Sequence, residues 1–219
     1  MTKIIKALSL STVIFLLTGC ISSRGFKIDV PQNSMVKPNG IQVYIRSIQD
    51  NREFQVRPRS ADIPSFGSKK NIGNPQIQCR TIGRQRNGYG KALGNVFLSE
   101  DQKIETVVYE AIKSSLNSLG YEVTDSRAYA KENAIILDVA INKFWSWINM
   151  GGGWSMKMDS EVETVITLAS TSKKLVITGT GRNHYQVASS ANWKKVMELA
   201  VKDYISQAND KLNCLPDNC

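Results

Sequence analysis

The sequence predicts a two-layer α/β (α+β) sandwich, a mainly antiparallel sheet with two amphipathic helices on one face. Three observations carry this reading. Long alternating segments follow one another between residues 134 and 187. Two stretches, 99–119 and 190–212, place apolar residues at helical spacing. Two such helices are about what one half-buried sheet needs to cover it. A hydrophobic share of 42% over 219 residues is enough for one core and argues against a mainly disordered chain.

Ile41 to Ile48 alternates apolar and polar side chains and reads as a first strand. Residues 50–95 carry Pro58, Pro64 and Pro75, many glycines and few aliphatic runs. That length exceeds an ordinary loop, so it reads as an ordered or half-ordered insertion. From Ser99 to Leu119 the pattern is helical. Ser99 and Gln102 have capping-box spacing, and Glu100 and Asp101 suit the positive end of the dipole. Ile104, Val107, Val108, Ala111, Ile112, Leu116 and Leu119 form the stripe, and Gly120 ends it. Tyr121 to Thr124 starts a short strand.

Ala134 to Trp147 reads as a long strand with Ile135, Leu137, Val139, Ile141, Trp145 and Trp147 on one face and Phe144 as the exception. Gly151 to Gly153 makes a turn. Met156 to Leu168 alternates again, Ser170 to Lys173 turns, and Leu175 to Val187 follows with Thr178, Thr180, Arg182 and His184 on its polar side. This is a meander with one apolar and one wet face. Ser190 to Leu212 is the last helix, with Trp193, Val196, Met197, Ala200, Val201, Tyr204, Ile205, Ala208 and Leu212 as its stripe.

The first residues have a different character. Lys3 and Lys6 precede an apolar stretch from Ala7 to Leu17, too short to span a bilayer and proportioned like a signal peptide. Leu17-Thr18-Gly19-Cys20 resembles the lipobox of bacterial lipoproteins. The resemblance implies removal of residues 1–19 and a diacylglycerol on Cys20. A thiolate is a good nucleophile for that alkylation. Each buried methylene contributes about 0.8 kcal/mol, so two or three acyl chains anchor stably. Ile21 stands where an Asp would resemble an inner-membrane retention signal, so the expected place is the outer membrane, facing the periplasm. Residues 20–40 read as lipidated Cys and tether, 41–213 as one domain, and 214–219 as a Cys-containing tail. An oxidising periplasm permits a disulfide. Cys214 and Cys219 flank a turn-like Leu-Pro-Asp-Asn and are the simplest pair; Cys79 with Cys214 is the rival.

The net charge is +9, from 28 Lys and Arg against 19 Asp and Glu. Residues 24–91 hold 13 basic and 4 acidic side chains, whereas residues 92–219 hold 13 and 15. The excess therefore lies in the N-terminal third, close to the expected anchor. Arginine suits bidentate contact with phosphate or carboxylate. Arg52, Arg57, Arg59, Arg80, Arg84 and Arg86 are the candidates for contact with an anionic surface: phospholipid or lipopolysaccharide phosphates, peptidoglycan carboxylates or an acidic protein. The compartment argues against nucleic acid. The bland alternative is a solvated loop kept soluble by its arginines.

Catalytic constellations are weak. Around Gly88, Gly90 and Gly94 the spacing fits neither a P-loop nor GxGxxG, and Ala92 stands where a P-loop needs Ser or Thr. With His184 the single histidine and no CxxC, a zinc site is not expected. Asp159, Glu161 and Glu163 superficially resemble a glycosidase pair, but that chemistry needs an enclosed carboxyl with a raised pKa. Phe144, Trp145, Trp147 and Trp154 read as core packing at a sheet end or as an aromatic rim for sugar or lipid. No catalytic residue, cofactor or metal is assigned, and the chain is not expected to be an enzyme.

With these elements placed, the chain resembles the YajG-type lipoproteins. The likeness is strongest from Ala134 to Leu212, where three strands lead into a helix through Val187-Ala188-Ser189-Ser190. The helix ending in Leu119-Gly120-Tyr121-Glu122-Val123 is similar too. The resemblance covers roughly residues 96–212 and the signal, and the basic insertion departs from it. The family brings no activity or catalytic residues. Small α/β lipoproteins of this build act as accessory subunits of envelope machines, an analogy of fold. The expectation is a non-catalytic accessory or binding subunit of an envelope complex. Its rivals are a lipid-transport auxiliary subunit, which needs an apolar cavity between helices and sheet, and a cell-wall glycan hydrolase.

Overall fold

The computed structural model describes residues 25–34, 36–87, 91–149, 155–213 and 215. The signal segment, Cys20, Gly88 to Gly90, Gly151 to Gly153, Trp154, Cys214 and Cys219 lie outside them.

The sheet is organised around one strand. Fifteen residues long, β7 (Ile135–Asn149) pairs along one edge with antiparallel β8 (Met156–Leu168), which pairs with β9 (Lys174–Tyr185). Its other edge is shared. β1 (Gln42–Asp50) runs parallel to Ile135–Ile141, and β4 (Thr81–Arg86) meets it in parallel at Ser146. β6 (Glu122–Thr124) lies outside β1, and β5 (Ala92–Phe97) lies antiparallel outside β4. The seven-stranded sheet is thus mixed and forks at β7, with the antiparallel meander as its larger part. The region read as an insertion is corrected here: its β4–β5 hairpin belongs to the main sheet. Ile82 and Val96 bury there, and two apolar anchors suffice because strand pairing fixes the rest.

The alternation of β7 is broken by a bulge between Ile141 and Lys143. A bulge inserts one residue and exchanges the faces beyond it. Leu137, Val139 and Ile141 face the helices, and past the bulge Phe144 and Ile148 join that core. Phe144 is therefore a core residue, and the placement of Trp145 and Trp147 on the core side is corrected. Trp145 is fully buried against the other face of the sheet. There Phe54 and Phe66 stack at 4.8 Å, Phe54 meets Trp145 edge-on at 6.1 Å, and the Trp145 indole N–H donates to Ala61 O at 3.0 Å. Residues 54–67, which include the paired β2 (Gln55–Val56) and β3 (Ser65–Phe66), form a small lobe on the face expected to be wet.

A one-turn helix, α1 (Pro75–Gln78), leads into β4, and both long helices cover the first face. In α3 (Ser190–Leu212) the nine stripe residues named above are the nine buried ones. Ser189 caps it by accepting from Asn192 N. The helix lies directly on β9 because two glycines allow it. A Cβ at Gly179 would stand 2.3 Å from Tyr204 N, and one at Gly181 would stand 2.2 Å from Val196 O. Across the interface Ser160 Oγ donates to Val196 O at 2.6 Å, and the Thr164 and Tyr204 hydroxyls share a 2.7 Å bond. The side of β9 away from β8 is tied to the same helix. Asp203 accepts from Thr180 N at 2.7 Å, and Lys211 donates to Val176 O. Such capping blunts an exposed strand edge.

The other helix, α2 (Ile104–Ser118), starts four residues later than its capping pattern suggested, with Lys103 and not Ser99 at the N-cap position. Ser99 spends its hydroxyl on Asp101 at 2.7 Å. Gln102 turns away from the helix and accepts from Ile28 N at 2.8 Å while donating to Ile28 O at 2.9 Å. This corrects a second expectation. From Gly25 on, the segment read as a tether is a bound strap. Phe26 bridges to Leu98, Ile28 is buried, and Asn33 N and Pro31 O both bond the Ser114 hydroxyl. Asn39 N then reaches Gly120 O at 2.9 Å. Asp29 pairs with Lys194 at 2.6 Å, so the strap also joins α2 to α3.

Cys79 is buried with a free thiol at the start of α2, where its carbonyl accepts from Ile104 N. Leu215 sits at the far end of that helix, its carbonyl bonded by Tyr121. Cys214 and Cys219, and with them both disulfide pairings, lie outside the described residues.

Candidate functional site

The six arginines proposed as surface contacts divide into three that share a cavity, two that turn inward and one that is exposed. Arg52 is an internal fastener and leaves the list: its side chain has no exposed surface. The guanidinium sits in the fork of the sheet, where β1 ends and β4 begins. It donates to Gln78 O at 2.6 Å, Thr81 O at 2.7 Å and Phe144 O at 2.9 Å, and forms a bidentate pair with Asp50 at 2.8 Å. The ring of Phe54 lies 4.9 Å from its carbon. An arginine so engaged satisfies carbonyls that the split edge of β7 would leave unpaired. Arg80 is likewise turned inward, onto Leu98 O at 2.9 Å. Arg59 is exposed to solvent, apart from the others.

Arg57, Arg84 and Arg86 are brought together. β4 supplies Arg84 and Arg86, and the lobe supplies Arg57. Arg84 is 8% exposed and donates to Phe66 O at 2.9 Å. Arg86 donates to Pro58 O at 3.2 Å. Arg57 has a positive φ of 49° and donates through Nε to Gly67 O at 2.8 Å. With Pro58, Lys91 and Ala92 the three arginines line a cavity of about 380 Å³. None of the ion pairs among the described residues involves Arg57, Arg84, Arg86 or Lys91. Burial, then the nearby Arg86 and Arg57, hold the Arg84 guanidinium below its ordinary pKa. The Nε of Arg86 is buried with no hydrogen-bond partner. The sequence offered Lys91 no role. Its only signal was its place four residues after Asn87, across the hairpin.

The other features weighed for chemistry have local partners. Asp159 accepts from Arg182 at 2.5 Å, Glu161 pairs with Lys143 at 2.9 Å, and Glu163 accepts from Asn142 at 3.3 Å. His184 is exposed on the edge strand. Lys143 lies 5.1 Å above the Trp147 ring. Among the described residues no cluster of His, Cys, Asp and Glu could hold a metal, and no helix is long and apolar enough to cross a membrane.

A second cavity, about 460 Å³, lies between β1 and α2 and is lined in part by Arg46, Glu105, Tyr109, Glu110 and Asp125. Glu105 has one buried carboxylate oxygen without a partner. Burial raises its pKa, and Asp50 adds to the rise.

No family model matches the chain, and no curated protein matches it. Among solved structures, a protein from Xanthomonas campestris of the family model DUF330 is similar at 13% identity, covering 86% of this chain and 97% of that one with a TM-score of 0.45. A minor lipoprotein from Acinetobacter baumannii shares 12% identity over 49% of this chain and 82% of its own, TM-score 0.36. A PelC dodecamer from Paraburkholderia phytofirmans shares 8% over 81% and 98%, TM-score 0.28. The likeness to YajG-type lipoproteins stays one of sequence pattern.

Proposed function

We propose that this protein is a lipid-anchored lipoprotein of the bacterial envelope, a non-catalytic accessory or binding subunit on the periplasmic side of the outer membrane. One observation carries the reading. Cys20, at the end of a lipobox-like tetrapeptide, precedes by only five residues a strap that is clamped to the fold. Five extended residues span at most about 18 Å. An acylated Cys20 would hold the Phe26 end of the domain close to the bilayer, as a fixture and not as a body on a long leash.

The carboxylates considered for glycan cleavage are engaged by Arg182, Lys143 and Asn142, Asp159 being buried and Glu161 and Glu163 half-buried. Such chemistry needs a carboxyl that is free to hand a proton to the leaving group, whereas each of these three is committed to a partner within the sheet. A lipid-carrying role would need room between helix and sheet. Under α3 there is none, since Ile177, Val196, Met197, Ala200 and Tyr204 have no exposed surface and the helix rests on Gly179 and Gly181, while the cavity between β1 and α2 carries the charged groups Arg46, Glu105, Glu110 and Asp125.

The test is metabolic labelling with an alkynyl fatty acid in a Gram-negative host, with fractionation of the membranes. The wild type is expected to carry label and fractionate with the outer membrane, and Cys20→Ser to lose both. An unlabelled wild type that remains soluble after cell lysis overturns the proposal.

A further inference from the structure

We propose that the cavity between the lobe and the β4–β5 hairpin binds a phosphate-type dianion, held by Arg57, Arg84, Arg86 and Lys91. Four cationic side chains line it. In a folded protein such a group ordinarily contains a carboxylate, because like charges at short range repel and burial strengthens the repulsion. Among the described residues none of the four has one within ion-pair distance. Arg84 is almost fully buried, and the charges that influence it are Arg86 and Arg57, both cations.

The second observation is independent of charge. The Nε–H of Arg86 is buried and unpartnered, although the same guanidinium reaches Pro58 O. Arg86 lines the cavity, and its orphaned donor is costly unless a small shift of the side chain brings it a partner there. The arginines are also held rigid. Carbonyls of Phe66, Pro58 and Gly67 each take one bond from a different guanidinium. The remaining N–H groups of those forks are then pre-set for an incoming anion.

The ligand class follows from the donor set. A carboxylate offers one charge and two oxygens. A phosphate monoester carries close to two charges at neutral pH and three strong acceptor oxygens. Guanidinium forks pair with those oxygens bidentately. The phosphate could belong to a lipid headgroup or to a soluble ester, and the same groups would hold either.

The experiment uses the full chain in a zwitterionic detergent. Calorimetric titration with sodium pyrophosphate and with inorganic phosphate probes the soluble source. Flotation with phosphatidylcholine vesicles, with and without phosphatidic acid, probes the lipid source. Lys91→Ala removes an exposed side chain without an ion pair and leaves the fold intact; Arg86→Gln removes the orphaned donor. Lys70→Ala, on an exposed turn, is the control for general charge. The expected result is binding that Lys91→Ala weakens at least threefold and Arg86→Gln at least tenfold, with Lys70→Ala unchanged. Binding of pyrophosphate identifies a soluble ester, and binding to phosphatidic acid vesicles alone identifies a headgroup. Absence of binding in both arms, or binding that Lys91→Ala weakens no more than Lys70→Ala does, overturns the site.

Discussion

Between α3 and the β7–β9 meander, the contacts are mainly apolar side chains in register, closed to backbone distance by Gly179 and Gly181. Between β4 and the lobe of residues 54–67, on the opposite face of the same sheet, the hydrogen bonds that link them run from arginine to carbonyl: Arg84 to Phe66, Arg86 to Pro58, and Arg52 to Thr81 and Gln78 beside them. The first region is held by burial of area, which is non-directional and tolerant of small errors. The second adds to the packing of Phe54 and Phe66 by Trp145 a few directional bonds, in surroundings where a missing partner costs more than a made bond contributes. The arginine-rich third is thus a fastened part of the fold, and its charge is free to act only where the fastening leaves donors over.

The sharpest way to break this comparison is at Arg52. Arg52→Ala leaves three carbonyls and the Asp50 carboxylate without their partner. Equilibrium urea denaturation is expected to show a loss of about 3–5 kcal/mol. A loss comparable to that of a surface arginine would mean the fork is held by something else.

The apolar half breaks next. Gly179→Ala places a methyl against backbone atoms of Tyr204 and Ala200, and helix or strand must shift. Overpacking of this kind costs about 3 kcal/mol at its upper range. Gly94→Ala meets nothing within 4 Å and is the matched control, expected to stay within about 0.5 kcal/mol of the wild type.

A smaller effect sharpens the role of the strap. Gln102→Ala removes both bonds to Ile28 and is expected to cost about 2 kcal/mol. Hydrogen exchange should then rise first in residues 25–34, ahead of the sheet.

The smallest effects are titrations, and they carry opposite signs. The Lys27 ammonium and the Ser99 hydroxyl hold Asp101 at about 2, below its ordinary 3.8. The hydrogen bond from Lys194 lowers Asp29, and that from Arg46 lowers Asp138. A carboxylate lowered in the folded state contributes stability above its unfolded pKa, and that is lost as pH falls from 3.8 through 2. Glu105 runs the other way. Its raised pKa means that the ionised form is disfavoured in the fold at neutral pH. Glu105→Gln is therefore expected to be more stable than the wild type at pH 7, with the difference vanishing below about 4.5. Thermal melts at pH 7 and pH 4 read the sign directly.

Legibility in the sequence divides along the same line. The stripe of α3 and the strands on either side of Ser170 to Lys173 were readable because their periodicity comes from local geometry alone. The bulge at Ile141 to Lys143 was not, since nothing in Ile141-Asn142-Lys143 distinguishes a bulged strand from a regular one. It exchanged the faces of Phe144 and Trp145. The capping pattern at Ser99 was correct chemistry in the wrong competition: Ser99 found Asp101, and Gln102 found the strap. Of the six arginines, three converge on one cavity and two turn inward, a division that composition could not show.

By itself the sequence determined the two-layer class, the helix faces and the meander, because apolar periodicity acts between neighbours in the chain. It also set the charge asymmetry and the lipobox-like run at Cys20. Only the tertiary structure decided that β7 would be shared by β1 and β4, that the tether would become a strap, and which guanidinium would meet which carbonyl. The guanidinium–carbonyl pairings join residues as many as 92 positions apart, as in Arg52 with Phe144. Their partners are backbone carbonyls, which every residue carries alike, so no side-chain pattern could announce them.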